Sequence, residues 1–129
     1  MRIELLSIFV DDQDKALQFY TAVLGFIKKQ DIPVGEHRWI TVVSSEEPNG
    51  PQLVLEPNAN PAALAYQRAL FEQGIPITAF GVDDIYEEYE QLRQRGVVFN
   101  VDPTDVGSAI IAVLEDTCGN LIQIYQITA

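Results

Sequence analysis

One plan is written twice in this chain. Ser7 to Phe26 (SIFVDDQDKALQFYTAVLGF) reads as an apolar strand, an acidic turn, an amphipathic helix and a Leu24-Gly25-Phe26 exit into a new strand. Ala79 to Val97 (AFGVDDIYEEYEQLRQRGV) follows the same plan. Val10-Asp11-Asp12 returns as Val82-Asp83-Asp84, and Gly25 returns as Gly96. A duplication constrains the fold before any residue propensity is weighed, because both copies must adopt one supersecondary unit.

In the first copy, residues 3–10 are mostly apolar, as in a strand held between two layers. Asp11 or Asp12 is placed to cap the helix that follows, whose Ala16, Leu17, Tyr20, Val23 and Leu24 fall on one face. Gly25 stops it, since a helix C-terminus favours a left-handed residue. Strands are predicted at 26–32, 39–44 and 52–56, with turns at Pro33-Val34-Gly35 and Asn49-Gly50. In the second copy a helix over 84–95 buries Ile85, Tyr89 and Leu92, and strands follow at 97–101, 109–114 and 121–127. Between the copies, Asn60-Pro61 opens a short helix in the preferred way. Its Ala63, Tyr66 and Leu70 share a face, Gln67 and Glu72 are read as solvated, and Gly74 ends it.

Each half therefore reads β-α-β-β-β. Strands joined in sequence by short turns become antiparallel neighbours, and one helix covers only one face of a sheet. The fold class expected is α+β: two tandem βαβββ modules forming curved, antiparallel-rich sheets around a cup-shaped cavity. The chain is read as one domain over 1–129, with module one at about 1–57, a bridging helix at about 60–74 and module two at about 76–127.

Charge narrows the partners. A formal net charge of −11, from 19 acidic and 8 basic side chains, argues against nucleic acid, whose phosphates need clustered Lys and Arg. No apolar run approaches the roughly 20 residues of a membrane span, so no membrane partner is expected and the cytoplasm is the expected compartment. Cys118 is alone, so no intrachain disulfide forms, and it reads as a small residue filling a turn.

The duplicated plan and its particular residues resemble the vicinal oxygen chelate superfamily, which includes glyoxalase I, extradiol dioxygenases and bleomycin-resistance proteins. The resemblance rests on Val10-Asp11-Asp12 leading to Phe19-Tyr20 and Leu24-Gly25-Phe26, on Val82-Asp83-Asp84 and Gly96-Val97, and on Asp116-x-x-Gly119-Asn120-Leu121-Ile122-Gln123. It implies, for the enzymes, a divalent metal in the cup held by His and Glu, one from the first and one from the last strand of each module. The first-strand position, counted back from Val10, is Leu5, and its counterpart is Ile77; neither has a lone pair to donate. The last strands offer Glu56 and Gln123, and an amide is a weak neutral donor. His37 is the only histidine. Because the chain departs from the family's pattern at these positions, the metal site is expected to be absent, and no cofactor is expected.

Four residues are candidates for ligand binding. Glu56 ends an apolar strand, pointing either into the cup or to solvent. Gln123 and Tyr125 share a face of the last strand, opposite Ile122, Ile124 and Gln126. Trp39 shares a face with Thr41 and Val43, and either stacks on a flat or cationic ligand or closes the core or a dimer seam. The Asp11-Asp12 and Asp83-Asp84 pairs read as helix caps, so no catalytic residue is named. The expected function is small-molecule binding, with a cationic or aromatic ligand and a homodimeric protein. The alternatives are a metal-dependent, glyoxalase-like lyase or dioxygenase using Glu56 and Gln123, and a protein-interaction module with a vestigial cup.

Overall fold

In the computed structural model, which describes all 129 residues, Asp12 and Asp84 have the extended backbone of N-cap residues. Each carboxylate accepts a hydrogen bond from a backbone N–H three residues on, Lys15 at 3.1 Å and Glu87 at 3.2 Å. These caps fix the start of both helices. The chain divides into two units, Met1–Tyr66 and Gln67–Ala129. Each carries one copy of the plan.

The first unit contains β1 (Leu5–Val10), α1 (Gln13–Gln18), β2 (Ile27–Val34), β3 (His37–Val43) and β4 (Gln52–Pro57). A π-helical stretch, Phe19–Val23, extends α1, with the Leu24 N–H bonded back to the Phe19 carbonyl. The sheet order is β1-β4-β3-β2; β1 lies parallel to β4, and the other pairs are antiparallel. Pro33 lies within β2 rather than in the predicted turn. β2 is an edge strand, where a missing N–H is tolerated, and the turn falls on Gly35 and Glu36.

α1 packs on β3 and β4. The face it covers carries Ile8, Val10, Ile40, Val42 and Leu55, all buried. From the helix side come Ala16, Tyr20 and Phe19, the last absent from the predicted stripe; the two rings meet edge to face at 5.4 Å. Gln13 sews the helix to the sheet, donating to the Arg38 and Leu55 carbonyls at 2.6 and 2.9 Å and accepting from the Arg38 N–H at 3.0 Å.

The second unit repeats this with β5 (Thr78–Gly81), α3 (Ile85–Gln94), β6 (Phe99–Asp105), β7 (Ala109–Glu115) and β8 (Leu121–Ile127), in the order β5-β8-β7-β6. β5 is again parallel to β8. α3 packs on β6, β7 and β8 over buried Ala112, Leu114, Ile122 and Ile124. Gly96, at φ +88°, ends it: the Gly96 and Val97 N–H groups bond back to the Arg93 and Leu92 carbonyls, closing the last turn.

The intervening helix, α2 (Pro61–Glu72), departs from expectation on two residues. Tyr66, placed on one face with Ala63 and Leu70, is 53% exposed, whereas Gln67, read as solvated, is buried. Gln67 Nε2 donates to the Cys118 carbonyl at 3.1 Å and to Asn120 Oδ1 at 3.0 Å. The Asp116 carboxylate in turn accepts from the Cys118 and Asn120 N–H groups and from Asn120 Nδ2, all within 3.0 Å. A buried amide is stable when its hydrogen bonds are met, and here they are. The helix read as a bridge is thus anchored in the second unit. Cys118 is buried in this turn and forms no disulfide.

Candidate functional site

Each sheet has one face under its helix and one face away from it, and side-chain parity sorts the candidates. In the first unit, Trp39, Thr41 and Val43 alternate with the helix-side Ile40 and Val42. Thr41 pairs with Val54, which places Gln52, Val54 and Glu56 on the same face away from the helix, the open face, although Thr41 and Val54 are themselves buried. The parallel register sets Phe9 opposite Glu56 and Leu5 opposite Gln52. Trp39 and Glu56 therefore share the open face of the first sheet.

Their polar atoms are not equally available. Trp39 Nε1 donates to Gln30 Oε1 at 2.7 Å, and Thr41 Oγ1 donates to Gln52 Oε1 at 2.7 Å. The Glu56 carboxylate is bound to no other side chain and is half-buried beside Phe9. The strongest ionic cluster of this unit lies on the helix side. There Arg38 forks onto Asp31 at 3.0 and 2.7 Å and also pairs with Asp14. The hydrogen bond from Arg38 holds the Asp31 carboxyl below its ordinary value of 3.8, and the two carboxylates push the guanidinium's own pKa upward. This cluster fastens β2, β3 and α1; it faces away from Glu56.

In the second unit, Gln126 Oε1 accepts from the first helical N–H of α3, Ile85, at 2.9 Å, so Gln126 lies on the helix side with Ile122 and Ile124. Gln123 and Tyr125 lie on the open face, as the period-two pattern predicts. Their β5 neighbours are Ala79 and Gly81. The Tyr125 ring lies over Gly81: a Cβ built there would be 3.5 Å from its Cζ and Oη. Neither the Gln123 amide nor the Tyr125 hydroxyl is engaged by another side chain.

The duplicated register also shows which positions correspond. Ser7 faces Val54 as Ala79 faces Gln123, and Phe9 faces Glu56 as Gly81 faces Tyr125. Glu56 thus corresponds to Tyr125, and Gln123 to Val54. Glu56 stands four residues along β4 from Gln52, the partner of Leu5, a span of about 13 Å. His37 is exposed at the start of β3.

A family model described as the Glyoxalase/Bleomycin resistance protein/Dioxygenase superfamily matches residues 2–124. The chain belongs to this superfamily. Among its similar superfamily relatives is the "Uncharacterized protein YurT" of Bacillus subtilis, 56% identical over 98% of this chain and 99% of that protein. A "Probable lactoylglutathione lyase" of Synechocystis is 34% identical over 92% of this chain and 90% of its own length. Among solved structures of the superfamily's fold, TnmS3, an antibiotic binding protein from Streptomyces sp. CB03234, aligns with a TM-score of 0.79 and 25% identity over 99% of this chain and 97% of that one. No helix of this superfamily member is long and apolar enough to cross a membrane.

Proposed function

We propose that this protein is a small-molecule binding protein of the superfamily in which the usual metal-ligand positions are lost, so that it works without a transition metal or cofactor. The observation that carries the reading is the donor set. Leu5 and Ile77 are hydrocarbon, Gln123 is a neutral amide, Val54 corresponds to Gln123 in the other copy, and Glu56 stands four residues along β4 from the partner of Leu5. A transition-metal site needs several lone-pair donors converging on one point. No group of three or more His, Cys, Asp or Glu is placed to hold a metal ion. These residues do not fit the group that the superfamily's enzymes carry.

What the open faces do carry suits binding. Glu56 offers an uncommitted carboxylate, Trp39 an aromatic plane, and Gln123 and Tyr125 an amide and a phenol. Those side chains favour a cationic or aromatic ligand, and the antibiotic-binding structural neighbour supports small-molecule binding. The protein is cytoplasmic and homodimeric in this reading: β1 is an edge strand carrying exposed Leu5 and Leu6, a surface that a second copy can cover. The relative named as a probable lyase supports the second reading, an enzyme using Glu56 and Gln123.

A thermal-shift screen of cationic and aromatic compounds separates the two, because a ligand specific for the native state raises its apparent stability. Binding predicts hits whose shift is reduced in Glu56→Gln or Tyr125→Ala. Lactoylglutathione lyase activity dependent on added metal and lost in Glu56→Gln would establish the enzyme instead.

A further inference from the structure

Asn49-Gly50, in the connection between β3 and β4, joins a thermolabile side chain to the least hindered backbone nitrogen available. An asparagine carboxamide is open to attack by the backbone nitrogen of the residue that follows it. The chain's other asparagines, Asn58, Asn60, Asn100 and Asn120, precede Ala, Pro, Val and Leu. The proline nitrogen carries no hydrogen, the valine nitrogen sits beside a branched side chain, and Asn120 is tied into the buried network with Gln67 and Asp116. The Asn49 carboxamide is exposed and engaged by no other group.

Around this pair the fold holds the attacking atom. The Gly50 N–H donates to the Glu47 carbonyl at 2.9 Å, across a turn with Pro48 at its second position. Crowding fixes the glycine: a Cβ on Gly50 would be 3.0 Å from the Glu47 Cβ and Oε2 and 3.1 Å from its carbonyl oxygen. The turn therefore needs the residue that makes the pair labile. β2 reaches across to steady it. The β2–β3 register slips between Lys28 and Gln30, which leaves Lys29 as the extra residue of a bulge. A bulge re-aims a side chain, and Lys29 Nζ donates to the Pro48 carbonyl, in the peptide unit before Asn49, at 2.9 Å.

We propose that Asn49 is a site of spontaneous deamidation and that Lys29 is the clasp that slows it. When the turn opens, the Gly50 nitrogen bonds to Asn49 Cγ and the Cγ–Nδ2 bond breaks. The proton lost by the Gly50 nitrogen leaves with Nδ2 as ammonia, and a succinimide ring remains. Water then opens the ring, giving aspartate when it adds at Cγ and isoaspartate when it adds at the main-chain carbonyl. Either product sets a new carboxylate beside Glu46 and Glu47, and isoaspartate also lengthens the main chain between β3 and β4. The rate follows the population of the open turn, a local equilibrium separate from global unfolding. Lys29 acts on that equilibrium through Pro48 and touches none of the reacting atoms.

The test ages the full chain at mildly alkaline pH and follows each asparagine by peptide mass spectrometry and isoaspartate chromatography. Wild type is expected to accumulate aspartate and isoaspartate at Asn49 ahead of the other asparagines. Lys29→Ala should react about threefold faster there, the size expected for one exposed hydrogen bond from a charged donor, and Lys29→Arg, which keeps a donor, should stay within about twofold of wild type. Lys29 is exposed, so both variants keep the fold, and Asn58, outside the turn, should keep its rate in each. In urea, where no turn is held, all three proteins should react at Asn49 at one common, faster rate. No product at Asn49, a Lys29→Ala rate equal to that of wild type, equal acceleration at Asn58, or a difference that persists in urea would overturn the proposal.

Discussion

Gln67 shows at the scale of one residue what periodicity does and does not reveal. Helical spacing placed it on the solvent side, because a polar residue is ordinarily exposed. Its partners, Cys118 and Asn120, lie about fifty residues later, and nothing local announces them. Gly119 makes the room: a Cβ there would be 2.8 Å from Gln67 Nε2. Gln67→Leu should therefore cost about 1–3 kcal/mol, the usual consequence of leaving buried hydrogen-bonding groups without partners, measured by urea unfolding. Asp31 offers a second test. Because Arg38 lowers its pKa, the pair's stabilisation is fully present above the ordinary value of 3.8 and fades as pH falls below it. Wild type should exceed Asp31→Asn in stability at neutral pH, and the two urea midpoints should converge in acid. Among the candidate site residues, the face shared by Gln123 and Tyr125 was legible because strands alternate strictly. The hydrogen bond that occupies Trp39 was not, since Gln30 reaches it only across the β2–β3 pairing.

At the scale of elements, the repeat carried most of the information. Val-Asp-Asp and the later glycine bracket α1 and α3 because caps and left-handed stops are local chemistry, written in adjacent residues. Asp84→Ala and Asp12→Ala should each destabilise by about 1 kcal/mol, seen as a lower urea midpoint with unchanged slope. What the repeat concealed was the parallel pairing of β1 with β4 and of β5 with β8, which decides which side chains stand abreast. Strand order joins residues more than forty positions apart, and no turn signal specifies it. Only with that register does Glu56 become the counterpart of Tyr125, and Gly81 the counterpart of Phe9.

For the whole molecule, membership of the superfamily fixes the architecture and leaves the chemistry to side chains. Two modules of one plan have diverged on their open faces, toward a carboxylate and an indole in one and toward a phenol, an amide and the small residues Ala79 and Gly81 in the other. The proposed function rests on hydrocarbon side chains, Leu5 and Ile77, at the positions where the resemblance implies metal ligands, and it distinguishes a binder from a lyase on the same scaffold. Calorimetric titration of the untagged protein with Ni²⁺, Zn²⁺, Mn²⁺ and Fe²⁺ tests that distinction most directly. The account predicts no stoichiometric high-affinity binding of any of them; one equivalent bound tightly by the wild type and released by Glu56→Gln would contradict it.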